Sequence, residues 1–160
     1  MTPDDRIRDL NLILPEPIKL PPNIEMQFSW VRVSGNRAFV SGHIALNADG
    51  SVSDIVGKVG GEVTIEQGYE AARQTGLAIL SSLKRELGSL NSISAWLRVF
   101  GMVIVAPGFV QTPSVIYGFS DLILDVFGKE IGDHTRSAIG MAELPFGAPV
   151  EIEAEVEIAP

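Results

Sequence analysis

The C-terminal segment from Arg136 to Pro160 holds the residue types and spacing from which chemistry can be built. In Val150-Glu151-Ile152-Glu153-Ala154-Glu155-Val156-Glu157-Ile158, apolar residues and glutamates alternate strictly. Successive side chains of a strand point to opposite faces, so the four carboxylates share one face and the aliphatic row packs inward. A slip of one residue would bury all four, each costing several kcal/mol if ionised and unpaired, so the pattern fixes the register. Taken alone, the alternation describes a half-exposed strand whose acidic face meets water. Arg136 opens the preceding segment, Arg136-Ser137-Ala138-Ile139-Gly140-Met141-Ala142. A turn near Glu143-Leu144-Pro145-Phe146-Gly147 is expected to return the chain antiparallel beside it. A guanidinium next to a row of carboxylates makes a small-molecule site: the planar fork fits an acid group, and a carboxylate can order or deprotonate water.

Other reactive side chains are few. His43 is either a proton carrier near its ordinary pKa of ~6.5 or a plain strand-end histidine, and His134 reads as a surface residue. Ser41 lacks a nucleophile elbow and an evident base, and there is no cysteine to act as thiolate or to form disulfides. A zinc ion would have to rely on His43, His134 and carboxylates, so no metal is expected. Gly57, Gly60 and Gly61 form no phosphate-binding fingerprint, and no cofactor is expected.

The chain that must position these groups has 160 residues, 46% of them hydrophobic and 20% charged. That is the size of one domain with a real core. The net charge of -8, with 12 lysines and arginines scattered along the sequence, disfavours a nucleic-acid partner. The N-terminus starts acidic without the features of a secretory signal, and no stretch approaches a membrane span, so a cytoplasmic protein is expected.

Residues 1–25 read as an arm: a short helix from Thr2 to Leu14, then an extended crossing forced by Pro15, Pro17, Pro21 and Pro22. Residues 26–160 read as one domain. Met26 to Gly42 forms a β-hairpin around Ser34-Gly35-Asn36-Arg37, and Asn47 to Gly61 forms a loop. Thr64-Ile65-Glu66-Gln67 is a capping box opening an amphipathic helix that runs to Leu87 and stops at Gly88. Ile93 to Val105 is a buried strand, with Trp96 in the core or at a subunit interface, as is Trp30. Thr112-Pro113 caps and starts a second helix that ends near Gly128. Two strands complete an α+β domain: a mixed sheet with two main helices on one face.

The run Arg136-Ser137-Ala138, with Leu144-Pro145 and then Val150-Glu151-Ile152-Glu153-Ala154, resembles the C-terminal signature of the Rid superfamily. These YjgF-type proteins include RidA-like reactive-intermediate deaminases and the endoribonuclease L-PSP family. Val40-Ser41-Gly42-His43-Ile44 resembles the family's serine-glycine strand end, and the likeness spans Met26 to Ile158. The resemblance implies a chorismate-mutase-like fold assembled as a homotrimer, the non-helical sheet faces forming an inner barrel with three clefts between subunits. It also implies that Arg136 binds the carboxylate of a small metabolite and Glu151 holds the attacking water, with Ser41 and Gly42 lining the cleft. At three further cleft positions the chain departs from the family: Phe28 stands for a tyrosine, Ser120 for an asparagine and Ala138 for a cysteine, each removing or shortening a polar contact. The implied reaction is hydrolysis of 2-imino acids to 2-oxo acids and ammonia, without cofactor. The departures leave open capture of a 2-oxo acid without turnover, and endoribonuclease activity ranks last because of the net charge. The arm, the loop Asn47 to Gly61 and an insertion around Pro107 to Pro113 exceed the compact members.

Overall fold

The capping box read at Thr64 forms, and Thr2, read as the cap of the first helix, forms one as well. Thr2 caps α1 (Pro3–Asp9) with Asp5, and Thr64 caps α2 (Ile65–Leu87) with Gln67. α1 is shorter than expected because Asn11 takes a left-handed φ of 52° just beyond it. Gly88, at φ 81°, closes α2. The second long helix, α3 (Thr112–Gly132), departs from expectation at both ends. Its N-cap is Gln111, with no side-chain cap bond, and the Thr112 hydroxyl instead donates to the Ala138 carbonyl at 2.9 Å, tying the helix to the sheet. Gly128, at φ 71°, breaks it where an end was expected, but one more turn follows.

The computed structural model describes Met1–Pro160. Its strands are β1 (Val31–Ser34), β2 (Arg37–Ile44), β3 (Ile93–Ile104), β4 (Thr135–Met141) and β5 (Val150–Ile158). They form one mixed sheet in the order β1-β2-β5-β3-β4, so the α+β class and the mixed sheet hold. The expected pairing of the two C-terminal strands does not. β4 emerges from α3 and pairs parallel with β3, while the connection through Pro145–Gly147 carries β5 past β3 into the gap between β3 and β2. A strand–helix–strand crossover favours the parallel pair. The fully buried aliphatic row Val150, Ile152 and Val156 belongs at the sheet centre, where each side chain contributes about 1.5–3 kcal/mol of burial.

α2 and α3 cover one face. They approach so closely that a side chain at Gly118 would strike the Tyr69 carbonyl. Trp96 is fully buried between Phe119 and Phe127, edge-to-face at 5.7 and 5.5 Å. No helix is long and apolar enough to cross a membrane.

Candidate functional site

β1 stops pairing at Val31 opposite Val40, so the rest of β2 has no strand on its outer side. There Ser41 and Gly42 together stand opposite Glu153 alone, a bulge that turns Gly42 toward the next glutamate. A side chain at Gly42 would lie 2.9 Å from Glu151 Oε1, so glycine is what lets the carboxylate lie against the backbone. A cavity of about 340 Å³ opens beside them, lined by Phe28, Trp30, Gly42, His43, Phe146 and Glu151, with the arm as its outer wall.

The four glutamates of β5 are not equivalent. Glu153 pairs with Arg98 at 3.5 Å, Glu155 pairs with Arg37 at 2.8 Å, and Glu157 accepts from the Ser94 hydroxyl at 3.0 Å. Glu151 alone has no hydrogen-bond or salt-bridge partner in the chain. Burial, and secondly the charge of Glu153, push its carboxyl above the ordinary value of 4.5, which favours proton transfer nearer neutral pH.

His43 is buried rather than poised at the strand end. Its Nδ1 faces the Ser41 carbonyl oxygen at 2.6 Å, and its Nε2 faces the Ser82 hydroxyl at 2.8 Å. Desolvation lowers its pKa to about 4, against the raising effect of the Ser41 carbonyl, so the ring is neutral near pH 7. The carbonyl can only accept, so Nδ1 carries the hydrogen and Nε2 accepts from Ser82. Ser82 Oγ in turn accepts from Arg85 Nη2 at 3.1 Å. This corrects the expectation of a proton carrier near pH 6.5: His43 holds the Ser41–Gly42 bulge against α2.

Arg136 lies elsewhere. It pairs with Val99, which pairs with Ala154, so it shares the helix-covered face, whereas Glu151 belongs to the other face of the sheet. β3 separates their strands, and two strand spacings come to about 10 Å. Arg136 Nη1 donates to the Ser120 hydroxyl at 3.0 Å and Nη2 to the Pro113 carbonyl at 3.5 Å, while its guanidinium lies 4.5 Å from the Tyr117 ring centroid. His134 Nδ1 faces the Gly132 carbonyl and Nε2 lies 3.0 Å from Ser120 Oγ. No carboxylate of the chain pairs with Arg136.

Thus Phe28, Gly42, His43 and Glu151 meet at one cavity, whereas Ser41 does not line it and donates to the Ser29 carbonyl. Arg136, Ser120 and the Ala138 backbone gather at the β4 edge instead. A single chain does not bring the arginine and the glutamate together, contrary to the reading of adjacent strands. Sequence reasoning missed Ser82, Arg85 and Tyr117, and read His134 as mere surface. Their contacts span 14 to 39 positions between His134 and Ser120 and between His43 and Ser82, and no local pattern marks them. No group of acids and histidines suited to a metal ion is present.

The model of the YjgF/chorismate mutase-like family, described also as candidate endoribonucleases, matches residues 13–150. Protein TCP17 of Trypanosoma cruzi is 38% identical over 143 residues, covering 88% of each chain. A protein of unknown function from Agrobacterium tumefaciens superposes with a TM-score of 0.85 at 35% identity, over 98% of this chain and 92% of its own. A candidate endoribonuclease from Shewanella oneidensis MR-1 superposes at 0.87 with 27% identity, over 99% and 100%.

Proposed function

For a chain that belongs to the YjgF/chorismate mutase-like family, we propose hydrolysis of 2-imino acids to 2-oxo acids and ammonia in a cleft between copies of the chain assembled as a trimer. One observation carries the reading: the chain holds an unpaired guanidinium and an unpaired carboxylate of raised pKa, on opposite faces of its sheet and two strands apart. Each half-site lacks what the other supplies. Arg136 of one copy captures the substrate carboxylate, with Ser120 fixing the guanidinium, and Glu151 of the next copy takes a proton from water as its oxygen bonds to the imine carbon. The protonated imine nitrogen takes up the displaced bonding pair, so the carbinolamine is neutral. Glu151 returns its proton to that nitrogen, the carbon–nitrogen bond breaks as the hydroxyl oxygen forms the carbonyl, and the hydroxyl proton leaves with ammonia as ammonium.

The test is ammonia release from a freshly generated 2-imino acid. Arg136→Ala is expected to lower kcat/KM by about 10²-fold or more while the trimer persists, since removing one partner of a buried charged pair costs 2–5 kcal/mol. Equal rates in wild type and variant would overturn the proposal. Phe28, which brings a ring without a hydroxyl to the cavity, favours a second reading: capture of a 2-oxo acid without turnover. Thermal stabilisation by such acids with no ammonia release would select it. RNA cleavage has less support, because Arg37 and Arg98 are already paired with glutamates on a chain of net charge -8.

A further inference from the structure

We propose that the Glu151 cavity selects substrates bearing a bulky apolar side chain, branched aliphatic or aromatic, and that the N-terminal arm is the wall that imposes the choice. The reaction rests on the deaminase reading above; the size and polarity of the side chain rest on the cavity alone.

Volume is the first argument. The alanine-derived imine has six non-hydrogen atoms and needs ~180 Å³ at the ~30 Å³ that a water occupies, well under the cavity's 340 Å³. Polarity is the second. On the arm side the lining is Pro17, Ile18, Leu20, Ile24 and Met26, all apolar. Opposite stand Phe28 and Trp30, whose rings meet edge-to-face at 5.2 Å. The polar groups of His43, Ser82 and Arg85 bond to one another and to carbonyls, which leaves Glu151 as the acid facing the cavity without a partner. Water there would find few hydrogen-bonding groups, so an apolar substituent gains by displacing it.

The wall is also fixed. The Pro15 carbonyl accepts from Ser81 Oγ at 2.6 Å and from Arg85 Nη1 at 3.4 Å. The Glu16 amide donates to Ala48 at 3.0 Å and that of Lys19 to Gly50 at 2.9 Å, so the loop after β2 holds the arm. Across the cavity the same loop reaches Gly147, whose carbonyl accepts from the Gly57 amide at 2.9 Å. Its neighbour Phe146 is held at φ 61° with its ring at the cavity. A bulky residue in the left-handed region costs about 1–2 kcal/mol, and such strain gathers at ligand sites. The arm and the long loop, two of the three segments that exceed the compact members, therefore meet on one task.

The test uses imines generated from alanine, leucine and phenylalanine, with the corresponding 2-oxo acids as thermal-shift ligands. kcat/KM for the leucine or phenylalanine imine is expected to exceed that for the alanine imine by ~10-fold or more, the scale of hydrophobic-pocket discrimination, and the bulky oxo acids should stabilise the protein more than pyruvate. Ile24→Trp, which narrows the cavity from the arm side, is expected to shift the bulky-to-small ratio by ~10-fold toward the small substrate. Turnover that favours the alanine imine, or a ratio that Ile24→Trp leaves unmoved, overturns the inference and leaves the deaminase reading standing. Stabilisation by bulky oxo acids without any turnover sinks the deaminase reading and supports the selectivity.

Discussion

Arg85, Ser82 and His43 beside the Glu151 cavity are wired as Arg136, Ser120 and His134 are on the β4 edge: arginine to serine oxygen, serine to histidine Nε2, histidine Nδ1 to the carbonyl two residues before it. The same relay serves different ends. Around His43 the histidine and serine are buried, and the arginine, itself exposed, is turned to holding the arm through Pro15. Around His134 the serine is buried and the histidine and arginine are half-buried, and the arginine stacks on exposed Tyr117 with no acid partner. Neutral His43 takes the Ser82 hydrogen and leaves the serine lone pairs for Arg85, so that relay is a positioning device. What differs is the task at its free end: one relay shapes a cavity wall and the other presents a charge.

If the two halves are completed only by a second copy, mixing should reveal it with the largest effect. Glu151→Gln alone is expected to lower kcat about 10²–10⁴-fold, the usual contribution of a general base, and Arg136→Ala to be comparably impaired. Trimers assembled from equal amounts of the two variants should regain about a quarter of wild-type activity, because one random pairing in four joins an intact Arg136 to an intact Glu151 across an interface. No recovery in verified mixed trimers would place the site within one chain and break the comparison.

The burial of His43 predicts a pH effect on stability. The folded-state pKa of His43, about 4, lies below its ordinary 6.5. The unfolded chain therefore binds a proton that the folded chain refuses, and stability falls as pH drops through this window. The loss attributable to His43 is about 3 kcal/mol, at 1.36 kcal/mol per unit. In denaturant titrations, the stability lost by wild type between pH 7 and about 4 should exceed that lost by His43→Gln by that amount. Parallel curves would mean that burial does not hold His43 neutral.

The elements themselves were legible, because capping boxes, the apolar helix stripes and the β5 alternation are local signals. Thr64-Gln67 and Gly88 bracket α2 as read. Strand order was not, since nothing in Arg136–Ala142 says whether that strand pairs with the one after it or, through α3, with the one before. From that error came the reading of Arg136 and Glu151 as neighbours, although the choice of Glu151 from its row fits the geometry: it is the member without a partner. The relays span helix and strand, so residue types at fixed spacing could not show them. The arm's role was hidden for a similar reason: prolines announce an extended crossing but not the surface it covers.

The bulge at Gly42 offers a smaller perturbation confined to the Glu151 half. A methyl group there meets the flexible end of Glu151 rather than backbone, so the carboxylate gives way and the fold need not. A displacement of about 1 Å costs up to about 10²-fold in rate. Gly42→Ala should therefore lower kcat while the melting temperature and the thermal shift with 2-oxo acids stay near wild type. An unaffected kcat would remove Glu151 from the chemistry.

Glu153→Gln is expected to act most gently, and it separates the two causes of the raised Glu151 pKa. Burial is the larger and remains; the charge of Glu153 is the smaller and is removed. With Glu151 as base, kcat/KM rises with pH as it ionises, so the acid limb should lie above 4.5 in wild type and move toward lower pH in the variant without reaching the ordinary value. Folding reads the same group with the opposite sign, because a raised carboxyl holds its proton in the folded state and stability falls as pH rises through the window above 4.5. The Arg98 pair lost with Glu153 is half-exposed and worth at most about 1 kcal/mol. The limbs of variant and wild type can therefore be compared at nearly equal stability, and a limb that stayed put would assign the activity's proton to a group outside the β5 row.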